Sequence, residues 1–128
     1  MSAPPAAGGR RGVPRRRLGP SEAAFQAAVV DLAQLRGWRV MHIHDSRRGL
    51  GAGYPDLTLL HRATGALLFA ELKAANGRLS REQQEWLDDL HKGGHTVHVW
   101  RPAHFATGLI QDVLRSPRRP VGAAPPTP

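Results

Sequence analysis

Two acidic residues and one lysine are spaced so that a single β-hairpin would bring them together. Asp56 lies in GYPDLTLLH, and Glu71 and Lys73 lie in LLFAELK. Between them, Arg62-Ala63-Thr64-Gly65 is a turn-like stretch closing on glycine. A hairpin centred between Ala63 and Thr64 opposes residues whose numbers total 127, and Asp56 and Glu71 are such a pair. Directly opposed residues share a sheet face, and Lys73, two residues beyond Glu71, shares it as well. The same register turns Leu57, Leu59, Leu68, Ala70 and Leu72 to the other face, toward a core.

Adjacent carboxylates repel and raise each other's pKa, and nothing in ordinary packing favours the pairing. A divalent cation relieves it, because hard oxygen ligands suit Mg²⁺. A lysine beside the pair adds a positive point charge for a water or a phosphate oxygen. Together these are the parts for hydrolysing a phosphodiester. The chain has sixteen arginines but two lysines, Lys73 and Lys92. An arginine at position 73 would fork onto the carboxylates, whereas an ammonium is compact and can release a proton. For an isolated ExK tripeptide the ordinary explanation is a surface Glu and Lys facing water. Leu67 and Phe69 share the same face and argue against simple solvation.

The elements that would hold these residues follow from periodicity. Pro20-Ser21 opens a helix to about Arg36, with Ser21 as N-cap, Gly37 as stop, and Phe25, Val29, Leu32 and Leu35 or Arg36 as its apolar stripe. Trp38 to His44 reads as a strand, and Asp45 to Tyr54 as a glycine-rich loop carrying Arg47 and Arg48. After the hairpin, Ala74 to Leu79 is a loop turning at Asn76-Gly77. A second helix starts at Ser80, with Gln83 completing a capping box and Trp86, Leu87 and Leu90 on one face. Gly93-Gly94 ends it, His95 to Arg101 is a fourth strand, and Ala103 to Leu114 forms a last helix beyond Pro102. A helix between the third and fourth strands permits a parallel crossover, so an α/β mixed sheet flanked by helices is expected.

Composition bounds the rest. The 128 residues suit one domain, 21–115, between tails 1–20 and 116–128 whose Pro, Gly, Ala and Arg content predicts disorder. Such a small core leaves room for a homodimer. No cysteine is present, so disulfides and thiolate metal sites are excluded. No apolar run is long enough to span a membrane, and no signal peptide is read at the N-terminus. Of the net charge of +8, residues 1–20 carry +5, residues 116–128 carry +2, and the domain itself carries +1. The basic tails could contact phosphates without sequence preference, or serve only as solubilising extensions.

The αβββαβ order, with PD in one strand and ExK in the next, resembles the PD-(D/E)xK nuclease superfamily with its restriction-endonuclease-like fold. More narrowly the chain resembles the VRR-NUC family, which includes small phage and bacterial proteins. The strings SEAAFQ, GAGYPDLTLL, FAELKAANGRLS and REQQEWLDDLHKGGHTVHVWR carry the resemblance over residues 21–101. It implies that Asp56 and Glu71 bind Mg²⁺ (or Mn²⁺ in its place), with the Leu72 carbonyl as a further ligand, and that Lys73 positions or activates the attacking water. It also implies that Glu22 helps to hold metal or water and that Gln83 lies near the site. The expected activity is structure-selective endonucleolytic cleavage of DNA at a junction, flap or nick, in the cytoplasm of a bacterium or phage-infected host.

Simpler explanations stand beside these roles. Glu22 in a first helical turn favourably meets the helix dipole. Gln83 is accounted for by capping Ser80. Arg47 and Arg48 would clamp phosphates from the glycine-rich loop, or face solvent. His42 and His44 alternate on a strand, but zinc is not expected without cysteine or a spaced third histidine. His91, His95 and His98 read as surface or edge residues, and Trp86 and Trp100 as core. A non-catalytic DNA-binding or assembly module on a nuclease fold is the alternative function, since fold alone does not give activity.

Overall fold

The computed structural model describes residues 20–43 and 49–118. The elements are α1 (Pro20–Leu35), β1 (Trp38–His42), β2 (Leu57–His61), β3 (Leu67–Leu72), α2 (Arg81–Lys92), β4 (Thr96–Trp100), α3 (Pro102–Ala106) and α4 (Leu109–Arg115). The strands form one sheet in the order β1-β2-β3-β4. β2 is antiparallel to both β1 and β3, and β4 joins β3 in parallel. A parallel neighbour requires a crossover, which α2 supplies.

The β2–β3 hairpin has the expected register. Leu57 opposes Ala70, Thr58 opposes Phe69, Leu59 opposes Leu68 and Leu60 opposes Leu67. Its turn closes through His61 N–H to the Ala66 carbonyl at 2.8 Å and Gly65 N–H to the His61 carbonyl at 2.9 Å, with Gly65 at φ +78°. Alternation then does what period two requires. Leu57, Leu59, Leu68 and Ala70 enter one core with Val29 and Ala33 of α1 and Ile110 and Leu114 of α4, and Leu72 packs against it. The Trp38 indole donates to the Leu114 carbonyl at 2.9 Å, so a helix-end carbonyl is satisfied by β1.

Several local expectations are corrected. Helix α1 begins at Pro20, whose missing N–H is harmless in a first turn, so Ser21 lies inside the helix and is not its cap. The core-facing stripe is buried Val29 and Ala33 with half-buried Phe25 and Leu32; Leu35 is 79% exposed because it falls roughly 100° off that stripe. Gly77 closes the 74–77 turn by donating to the Ala74 carbonyl at 3.0 Å, which makes Ala75 and Asn76 the central residues. The single C-terminal helix expected from Ala103 to Leu114 is two, α3 and α4, parted at Gly108 with φ +89°. Pro102 both ends β4 and occupies the first turn of α3. The strand expected to reach His44 ends at His42, and His44, Arg47, Arg48, residues 1–19 and residues 119–128 lie outside the described residues.

Candidate active site

Asp56 stands immediately before β2, Glu71 is in β3, and Lys73 follows β3. The Asp56 backbone carbonyl accepts the Ile43 N–H at 3.0 Å, next to β1. Its carboxylate Oδ2 accepts the Leu72 N–H at 2.8 Å, from β3. Asp56 is thus strapped between its two neighbouring strands. Glu71 is 2% exposed and is the buried charged residue of the described chain. Its Oε2 accepts a hydrogen bond from Gln83 Nε2 at 2.9 Å and lies 3.7 Å from the Lys73 ammonium. Its Oε1 is buried with no hydrogen-bond partner.

Burial, followed by the Asp56 carboxylate, pushes Glu71 up to about 8, while Lys73 opposes the rise. Burial also raises Asp56, against the Leu72 amide, the Glu71 contact, and the positive charges of Lys73 and His42. Two carboxylates in one buried place cannot both ionise cheaply without a compensating cation. Glu71 Oε1, which has no hydrogen-bond partner, would be satisfied by such a cation.

Helix α2 braces this arrangement. Ser80 and Gln83 form the expected capping box, with Gln83 N–H on Ser80 Oγ at 3.1 Å and Ser80 N–H on Gln83 Oε1 at 2.8 Å. Gln83 therefore does two things at once: its Oε1 caps the helix and its Nε2 holds Glu71. Three residues on, the Trp86 indole donates to the Ala52 carbonyl at 3.0 Å, and the Tyr54 ring meets Trp86 and Phe69 edge-on at 5.0 and 6.3 Å. Gly53, at φ +86°, approaches so closely that a Cβ there would stand 2.5 Å from the Glu82 carbonyl carbon. The loop delivering Asp56 is thereby seated on α2. Trp86, expected in the core, instead forms this seat and is half-buried, whereas Trp100 is 1% exposed in the main core.

Of the residues singled out in the sequence, Asp56, Glu71, Lys73 and Gln83 come together. Leu72 joins through its amide. Glu22 is half-buried in the first turn of α1. Among the described residues no group of three or more His, Cys, Asp or Glu could hold a metal ion, so Glu22 does not complete such a group with Asp56 and Glu71. His42 was not expected here. It opposes Leu57 and is near enough for its charge to favour ionised Asp56. Arg101 was also missed; its Nη1 reaches the carbonyls of Ala74 and Gly77, just past Lys73.

The VRR-NUC domain family model matches residues 20–103. The chain is 43% identical over 47 residues to Fanconi-associated nuclease 1 of Danio rerio, a stretch covering 37% of this chain and 5% of that protein. The present chain thus spans a small part of that relative's length. A solved structure described as a VRR_NUC domain superposes with a TM-score of 0.61 at 22% identity, covering 74% of this chain and 99% of that one. Another, a VRR_NUC domain protein, gives a TM-score of 0.54 at 23% identity, with coverages of 74% and 88%. These two likenesses are of fold. The span matched by the family model runs from the start of α1 past the end of β4, which is the unit that gathers Asp56, Glu71, Lys73 and Gln83, and the chain belongs to the VRR-NUC domain family.

Proposed function

We propose that the protein is a metal-dependent DNA nuclease, cutting phosphodiester bonds as a structure-selective endonuclease at a junction, flap or nick. The observation that carries this reading is the pairing of half-buried Asp56 with buried Glu71, whose Oε1 has no hydrogen-bond partner and whose Oε2 lies 3.7 Å from the Lys73 ammonium. Family membership and the match to a relative named as a nuclease support it.

The donors fit a hard divalent cation. Mg²⁺ commonly takes one or two carboxylates and completes its shell with waters and substrate phosphates. Asp56 and Glu71 would hold it, with the Leu72 carbonyl as a further ligand and Glu22 acting through a bound water, and Mn²⁺ would substitute. When bound, such an ion supplies charge neutralisation at the scissile phosphate and a lowered pKa for water. Gln83 keeps Glu71 in one rotamer through its amide. The Leu72 N–H does the same for Asp56. Lys73 places a compact positive charge where the attacking water and the anionic transition state would lie. Arg47 and Arg48 are proposed phosphate contacts, and a homodimer, checked by sedimentation equilibrium, belongs to the same proposal.

The test is cleavage of four-way junction, flap, nicked, single-stranded and linear duplex DNA with Mg²⁺ or Mn²⁺. The expected result is cation-dependent cutting with preference for a branched or interrupted substrate. Binding to these DNAs without cutting under either cation would instead identify a non-catalytic DNA-binding module.

A further inference from the structure

Lysine carries its ammonium on four flexible methylenes, so a productive Lys73 needs something to direct its stem. The chain that follows it, residues 73–80, lies outside helix and strand. Half-buried Arg101, one residue past β4, reaches into this loop. Its Nη1 donates to the Ala74 carbonyl at 2.8 Å and to the Gly77 carbonyl at 2.7 Å, bridging the first and last residues of the 74–77 turn. The Arg101 backbone is itself fixed, because its amide N–H donates to His104 Nδ1 at 2.9 Å. On the strand side, the Lys73 N–H donates to the Trp100 carbonyl at 3.0 Å. The held turn presents Gly77 to the lysine stem: a Cβ on Gly77 would stand 3.4 Å from Lys73 Cδ.

We infer that Arg101 is a positioning residue for Lys73: its guanidinium latches the 74–77 turn, and the latched turn forms the wall that directs the Lys73 ammonium toward Glu71. The inference rests on the reading above that Lys73 serves phosphodiester hydrolysis. It differs from a phosphate-binding role, in which Arg101 would spend its donors on DNA and set affinity. It also differs from a purely structural role, in which its loss would lower stability and leave Lys73 as ordered as before.

The chain has two lysines, so lysine labelled with ¹³C and ¹⁵N in the full chain gives two side-chain signals, with Lys92 on α2 as internal reference. The expected result is a Lys73 Cε signal more restrained than that of Lys92. In Arg101→Gln it moves toward the averaged behaviour of Lys92, and Arg101→Lys, which can still reach one carbonyl, restores part of the order. In parallel, Arg101→Gln lowers kcat for DNA cleavage by roughly tenfold to a hundredfold, the scale of a catalytic group misplaced by about 1 Å. KM and its salt dependence stay unchanged. An unaltered Lys73 signal in Arg101→Gln overturns the inference, and so does a raised KM with a flatter salt slope. If Arg101→Gln does not fold, Gly77→Ala reads the same wall: a shifted Lys73 signal supports the inference and an unmoved one overturns it. Absence of cleavage by the wild-type chain would sink the proposed activity, while the lysine signals would still decide whether Arg101 orders Lys73.

Discussion

The acidic pair and its lysine divide the chemistry at the residue scale. Glu71 carries the highest electrostatic strain, being buried beside Asp56 with one oxygen unsatisfied. Glu71→Gln removes a group that must either take up a proton or repel Asp56, and it provides an amide that can donate to Asp56. In the absence of divalent cation it should raise the thermal midpoint by about 4 °C or more, the shift that about 1 kcal/mol gives in a domain of this size. If the proposed cation site is formed, Mg²⁺ or Mn²⁺ should stabilise the wild type and the same substitution should abolish that gain; calorimetry with and without cation checks both. A variant that melts lower and still responds to cation would remove Glu71 from the metal site. Lys73→Arg should reduce cleavage by roughly a hundredfold or more while leaving melting and DNA binding largely intact. The guanidinium keeps the charge but is larger, forked and unable to give up a proton. Cleavage near the wild-type rate would reduce Lys73 to a binding charge.

At the scale of elements, α2 carries more than a crossover. It caps itself with Gln83, holds Glu71 with the same side chain, and seats the glycine loop through Trp86 and Gly53. Gly53→Ala would drive a methyl group into the Glu82 backbone at a positive φ, where L residues are already strained. It should destabilise the fold by about 1–3 kcal/mol, the range of core overpacking. It should also weaken cation binding through Asp56, which isothermal titration would show; unchanged melting would mean that the loop is not pressed on α2. Strand β4 gives a pH dependence. His98 stacks on Trp100 with ring centroids 5.2 Å apart, and burial, then His104, holds its pKa below the ordinary value of 6.5. A depressed histidine contributes stability above the unfolded value and loses it as pH falls through the folded one. The raised Glu71 has the opposite effect, adding stability as pH falls below about 8. The His98 contribution is therefore read as a difference: below about 6.5 the wild type should lose melting temperature relative to His98→Phe.

For the whole molecule, charge and chemistry are separated along the chain. The unit that gathers the acidic pair is close to neutral, whereas residues 1–20 carry five arginines and no acid. Among the described residues no helix is long and apolar enough to cross a membrane. Deleting residues 1–19 leaves α1 its first residue, Pro20. If two or three of the five arginines meet phosphates, the deletion should lower the slope of log affinity against log salt by roughly 2, at roughly 0.9 per contact on duplex DNA. Melting and cation affinity should not change. An unchanged salt slope would make the tail passive and leave binding to the domain's own groups.

Short-range physics made much of this legible in the residues. Period-two alternation and the turn ending in Gly65 fix the hairpin register, and the register alone opposes Asp56 to Glu71. Ser80 and Gln83 announce their capping box because both partners lie within one helical turn. The αβββαβ order follows from the same local patterns. Tertiary structure decided what depends on contacts between distant segments. Gln83 has a second bond to Glu71, twelve residues away, and Arg101 latches a carbonyl twenty-seven residues away. Ala33 took the core position open to Leu35 or Arg36, because the position of the sheet, not the apolarity of the side chain, decides which side of a helix is covered. Gly108 split the last helix although the surrounding pattern continues through it. The burial that raises Glu71 likewise comes from packing of strands and α2 around it, which no spacing along the chain specifies.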